Sequence, residues 1–164
     1  MSDSRREVLR RRYLSLGLGE LVAAAVFAAI AFGVVMPKLE TSQDSAALWA
    51  ALAPLLIILI QAGAYWLLAR RWVETAPMPA SLAALYRGFR YLDAALLLAG
   101  LLGVFLWLPD HVFAAVSVAA VWLFGVVEYV NYFVVRLAYP LRRWAHTIGQ
   151  WRTPRLVHDI NTAR

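Results

Sequence analysis

The stretch "EYVNYFVVRLAYP" runs from Glu128 to Pro140 directly after the apolar run "HVFAAVSVAAVWLFGVV". On a helix Glu128, Asn131, Tyr132, Val135 and Tyr139 share one face, because they recur at steps of three and four, and Arg136 borders it. A carboxylate can exchange a proton or hold a cation or a ligand amine. An amide and phenols beside it can orient a ligand or satisfy one another. Ionisable groups inside an apolar helix are costly facing lipid and belong toward a bundle interior, where they mark pathways and sites by default. The same residues also suit a structural network that holds helices in register.

Catalytic signatures are sparse. His111, His146 and His158 stand apart from carboxylates at metal-ligand spacing, and no HExxH, G-x-S-x-G or phosphate-cradling glycine loop occurs. The chain has no cysteine, which removes disulfides, thiolate metal sites and cysteine nucleophiles. Ser117, alone in its apolar run, reads as a helix–helix hydrogen-bond donor. No catalytic residue, metal site or cofactor is expected, and the reading leans away from an enzyme.

The elements that must carry these groups follow from hydropathy. Of the 164 residues 62% are hydrophobic, and the mean hydropathy is +0.63. Soluble domains are about 45–50% apolar even with glycine counted. The excess falls in blocks at 14–36, 46–70, 89–108 and 111–137, each long enough for a hydrocarbon core that takes about 20 helical residues. The expected fold is all-α, a transmembrane four-helix bundle over 14–137. It is preceded by an Arg-rich segment 1–13 and followed by an interfacial helix and tail over 138–164. Counted inward from the end of each span opposite the arginines, Glu20, Gln61, Asp93 and Glu128 lie about fifteen or sixteen residues deep, or roughly 23–24 Å at 1.5 Å per residue. Four helices thus bring one polar group each to a shared layer, with Tyr65 and Tyr91 nearby. Like charges in low dielectric cannot all stay ionised. A proton, a bound cation, or Arg90 and Arg136 reaching inward would resolve the conflict.

Charge sets the orientation. Of the sixteen basic residues fifteen are Arg, and they precede span one, surround the connection between spans two and three, or follow span four. Lys38 alone falls in the other connections. The positive-inside rule places both termini in the cytoplasm. The net charge of +6 then fits anionic lipid at the inner leaflet, with Arg12, Arg71, Arg142 and Arg143 as headgroup contacts. No recognition fold is left for nucleic acid. "RRRYLSLG" resembles a twin-arginine export signal, but the apolar run exceeds a 7–15-residue h-region and lacks an A-x-A site, so span one reads as an anchor.

Local signals add detail. Asp44 or Ser45 is expected to cap span two, Ser81 span three and Asp110 span four. Pro54 sits inside span two. Residues 82–91 read as an interfacial turn. Ala25, Ala29 and Gly33 on span one, and Ala95, Ala99 and Gly103 on span three, form small-residue faces for helix packing, within the bundle, in a homo-oligomer or against a membrane partner. Trp49 and Trp107 suit the outer interface, and Trp66, Trp72 and Trp144 the inner one. Leu141, Trp144, Ala145, Ile148 and Trp151 follow helical spacing and predict a helix lying on the membrane. Thr153-Pro154 then opens a short helix carrying Leu156, Val157 and Ile160, with Pro154 at its first position.

"VVEYVNYFVVRLAYP" and "RTPRLVHDI" resemble a set of small bacterial four-span membrane proteins with an acidic-aromatic-aliphatic-Asn-Tyr motif late in the last span and a Leu-x-x-Asp tail element. Glu128, Asn131 and Tyr132 match the first, and Leu156 and Asp159 the second. The resemblance covers the last third of the chain. It implies a small helical protein of the bacterial inner membrane and no particular activity.

Three functions follow in order. The first is a ligand- or lipid-binding bundle or accessory subunit. The second is a proton- or cation-coupled transporter of a small substrate using Glu20, Asp93 or Glu128. The third is an intramembrane enzyme acting on lipid headgroups.

Overall fold

The computed structural model describes residues 2–135 and 153–163, the side chains of residues 2 and 3 excepted. Helix α1 (Ser2–Ile30) runs unbroken through the Arg-rich segment, so helix begins well before the expected span start at 14. The reason is local. Arg, Glu and Leu are good helix formers with no Gly or Pro among them before Gly17, and Arg11 reaches Glu7 one turn back at 3.1 Å. The helix loosens into a π-helical stretch, Ala31–Val35, and ends in a 3₁₀ turn, Met36–Lys38, at Pro37.

Helix α2 (Ser42–Ala69) starts from Thr41. The Thr41 side chain accepts from the Asp44 N–H, and the Asp44 carboxylate accepts from the Thr41 N–H, both at 3.1 Å. The cap is therefore Thr41, not Asp44 or Ser45, and Asp44 closes the reciprocal half of a capping box. The helix passes through Pro54 without interruption. In the following turn Glu74 adopts φ 59°, the left-handed conformation that helps reverse the chain.

Helix α3 (Ala80–Leu106) begins after Pro79 with no side-chain cap, so Ser81 does not cap it and 82–91 belong to the long helix rather than to an interfacial turn. Helix α4 (Val112–Phe133) follows His111, again without a side-chain cap, and ends short of the expected residue 137. Helix α5 (Arg155–Thr162) follows Pro154, which occupies the cap rather than the first helical position. The expected interfacial helix over 141–151 lies outside the described residues.

The architecture is an all-α bundle whose first four helices are long and apolar enough to cross a membrane. Helix α2 is its axis: 56% of its most apolar window is buried, against 17–28% for the others, and it packs on α1, α3 and α4. The outward faces stay apolar, with Leu98, Leu102, Phe105, Leu106, Val112 and Val116 at 61–78% exposure. Such a surface suits lipid rather than water.

Helices α1 and α2 approach most closely at Gly17 and Gly63. A Cβ on Gly17 would lie 2.9 Å from Leu67, and one on Gly63 would lie 2.9 Å from Leu21. The expected strip Ala25, Ala29, Gly33 instead faces outward, and nothing lies within 4 Å of a Cβ at Gly33. On α3, Ala95 and Ala99 are exposed too. Only Gly103 of that strip is buried, and together with Gly100 it meets Ala50 of α2.

Candidate functional site: a polar layer closed by a short helix

Three hydrogen-bonded groups occupy the Arg-rich end of the bundle. The first joins α2 to α3. Gln61 Nε2 donates to Asp93 Oδ1 at 3.1 Å, and the Tyr86 hydroxyl donates to the Gln61 carbonyl oxygen at 3.0 Å. Asp93 is fully buried. Its Oδ2 and the Gln61 Oε1 are buried without a hydrogen-bond partner.

The second joins α1, α2 and α4. The Tyr132 hydroxyl donates to Glu20 Oε1 and accepts from Trp66 Nε1 at 3.1 Å. Glu128 shares a hydrogen bond with the Asn131 side chain, and its electrostatic neighbour is Glu20. The charged group acting on Glu128 is thus on α1 and not on α3, the antiparallel neighbour that carries Asp93 and Arg90. Helix α4 is rotated so that this face meets α1 and α2. Its contact with α3 is made instead by Tyr129, whose hydroxyl donates to the Arg90 carbonyl, and by Trp122 Nε1 donating to the Leu97 carbonyl at 3.0 Å.

The third is built on Asp159 of α5, which is 4% exposed. Its Oδ2 accepts from the Tyr65 hydroxyl at 3.0 Å and from Trp72 Nε1 at 3.1 Å, and its Oδ1 meets Arg155 Nε at 2.8 Å. Burial lowers the pKa of the Arg155 guanidinium, but the adjacent Asp159 carboxylate together with the Tyr13 and Tyr65 phenols more than offsets that and holds it above its ordinary value. Leu156 and Ile160 flank Asp159 and pack into a core with Met78, Tyr86 and Phe133. Helix α5 thus closes the bundle end beneath the polar layer.

Among the described residues, one small space is left inside. Gln61, Tyr86, Tyr132, Phe133 and Leu156 line a cavity of about 10 Å³ between the layer and α5, about the room one water needs. Among the described residues no group of three or more His, Asp or Glu is arranged to hold a metal ion.

Of the residues singled out from the sequence, Glu20, Gln61, Asp93, Glu128, Asn131 and Tyr132 all carry polar interactions in or beside the layer. Tyr65 is spent on Asp159. Tyr91 is 76% exposed and turns away from the layer, and the Arg90 side chain is exposed as well. Arg12 and Arg71 are exposed at the Arg-rich end, where headgroup contacts are expected. Arg136, Tyr139, Arg142 and Arg143 lie outside the described residues. Ser117 bonds the Phe113 carbonyl of its own helix at 2.8 Å rather than another helix.

Sequence reasoning missed four participants. Trp66 and Trp72 read as interface anchors, yet Trp72 is buried and both indoles donate inside the protein. Tyr86 lies seven residues before Asp93, two helical turns away on the same face, which is the signal that could have found it. Asp159, noticed only as part of a tail element, sits between Leu156 and Ile160 on the apolar stripe of α5.

At the opposite end, His111 pairs with Glu40 at 3.0 Å, and Lys38 lies over the Phe113 ring at 4.9 Å. An apolar groove of about 370 Å³ opens sideways between α2 and α3 toward that end. Ala50, Ala53, Ala99, Gly100 and Gly103 form its shallow floor, and Trp49 and Trp107 stand at its mouth.

Comparison of the chain with protein-family models, with curated proteins and with solved structures returns no match.

Proposed function

We propose that this chain is a non-catalytic, lipid-binding membrane bundle of the accessory-subunit type. It sits in a bacterial inner membrane with both termini cytoplasmic. The observation that supports this reading most is the contrast between two spaces among the described residues. The cavity of about 10 Å³ beside Gln61 admits a water but no organic substrate. The lateral groove of about 370 Å³ is apolar, is floored by small residues and opens where acyl chains are the solvent. Trp49 and Trp107, each 40% exposed, suit the headgroup boundary of the outer leaflet. The exposed arginines Arg12 and Arg71 suit anionic headgroups at the other face.

The test fills the groove. Ala53→Leu and Ala99→Leu place side chains in the groove without entering the closest contact, which Gly100 makes with Ala50. Native mass spectrometry of the protein released from bilayers should show retained lipid on the parent and less on either variant. Equal retention on all three would reject the groove as a lipid site. Orientation is tested with a reporter fused after Arg164 that is active only when exported. It should stay silent.

A second reading, a proton- or cation-coupled transporter, is favoured by one observation: Glu20 and Glu128, from different helices, are electrostatic neighbours inside the spans. Under that reading, proteoliposomes should dissipate a pH gradient and Glu128→Gln should abolish the flux. Absence of flux in the parent removes it.

A further inference from the structure

We propose that Asp93 and Gln61 form a proton-binding site inside the bundle, an acid–amide pair in which Asp93 is a neutral carboxylic acid donating through Oδ2. The pair is short of one hydrogen. Gln61 Nε2 already donates to Asp93 Oδ1, which leaves Asp93 Oδ2 and Gln61 Oε1 as two buried acceptors without a donor. Flipping the Gln61 amide does not help. It would turn Nε2 toward Oδ2 but set Oε1 against Oδ1, acceptor against acceptor, so the pair would still be short of one hydrogen.

Other donors nearby are spent. The Tyr86 hydroxyl is committed to the Gln61 carbonyl and the Tyr132 hydroxyl to Glu20. A water could occupy the small cavity beside Gln61, but Asp93 does not line it. Nor, among the described residues, does a cation answer the charge. From α2 the group facing Asp93 is Gln61, which carries none, and no charged side chain among the described residues acts on Asp93. On α3 the Arg90 side chain is exposed. On α4 Glu128 interacts with Glu20 of α1 rather than with Asp93. An ionised carboxylate buried without a counter-charge is far costlier than a neutral acid paired with an amide. A hydrogen on Oδ2 turns that orphan acceptor into the missing donor, and Gln61 Oε1 is the acceptor left over on its partner. This inference stands apart from lipid binding in the groove and requires neither proposed function.

The experiment is infrared difference spectroscopy of the full chain in bilayers at neutral pH. The parent should show a protonated carboxylic C=O band that shifts in heavy water. It should be lost in Asp93→Asn and kept in Glu20→Gln and Glu128→Gln. Because Asn supplies an N–H where the acid supplied an O–H, Asp93→Asn should fold. Should it not, Gln61→Met offers an independent readout: the band should persist and move to the higher frequency of an acid without its hydrogen-bond partner. A parent spectrum without the band, a band unaffected by Asp93→Asn, or one unmoved by Gln61→Met would overturn the proposal. So would a band that appears only when sodium is replaced by choline, because a metal cation would then be the natural occupant.

Discussion

The Tyr65 hydroxyl donates to Asp159 at 3.0 Å across 94 residues of sequence, joining the bundle's axial helix to the short helix beyond the last span. With Trp72 on the same oxygen, one carboxylate fastens α5 to both α2 and the turn that follows it.

Asp159→Leu should therefore loosen α5. The Tyr65 and Trp72 donors would be left without an acceptor, at a cost of roughly 1–3 kcal/mol each. Asp159→Asn keeps an acceptor oxygen and should cost less. Arg155→Ala keeps both donors on Oδ2 but removes the counter-charge of a carboxylate that is 4% exposed, so it should cost more than Asp159→Asn although the Arg155 side chain is itself 43% exposed. Hydrogen exchange checks this: amides over 155–162 should lose protection in Asp159→Leu while those of α2 keep theirs. Unchanged exchange in α5 would show that the carboxylate does not fasten it.

The crossing at Gly17 and Gly63 leaves no room for larger side chains, since a Cβ at either position would stand 2.9 Å from its nearest neighbour. Gly17→Val and Gly63→Val should each lower stability by about 1–3 kcal/mol through overpacking. Gly33→Ala, where a Cβ meets nothing within 4 Å, should be close to neutral. Thermal unfolding in detergent compares them directly, and equal melting of all three would mean that α1 and α2 do not cross there.

Tyr132→Phe removes a hydroxyl that accepts from Trp66 and donates to Glu20. The expected loss is about 1–3 kcal/mol, as two half-buried groups lose their partner. Trp66→Phe should be milder, because Tyr132 keeps its bond to Glu20. The reverse order in thermal unfolding would shift the weight of the network from the phenol to the indole.

Glu20 and Glu128 act on one another, so their replacements should not be independent. Removing either carboxylate removes the same mutual interaction. The double variant Glu20→Gln/Glu128→Gln should depart from additivity by roughly 0.5–3 kcal/mol. A cycle that closes to zero in thermal unfolding would place the two carboxylates too far apart to matter to each other.

Much of this architecture is legible in the sequence, for stated reasons. Span number follows from hydropathy, because a bilayer demands continuous apolar helix. The shared depth of Glu20, Gln61, Asp93 and Glu128 follows from helical rise, which is nearly invariant. Partner choice is not legible, because it depends on how far each helix is rotated about its axis. Depth alone does not tell that Gln61 meets Asp93 while Glu128 turns toward Glu20. Helix starts are misread where hydropathy and helix propensity part company: the arginines before span one are polar but helical, and they continue α1 rather than precede it. Asp159 stays hidden because a carboxylate in a polar tail reads as solvated until its neighbours Leu156 and Ile160 are seen to be buried.

The position of α5 has a consequence for biogenesis. Its residues follow all four long helices along the chain, so translation delivers the part that closes the bundle only after the parts it closes. Until Asp159 arrives, the Tyr65 hydroxyl and the Trp72 indole lack their acceptor, and the apolar seat of Leu156 and Ile160 is bare. A nascent bundle of this kind is distinguishable from a finished one at its Arg-rich end. A ribosome-bound chain, or one truncated before α5, would present a surface that membrane chaperones and proteases can recognise, and docking of eight residues would remove it.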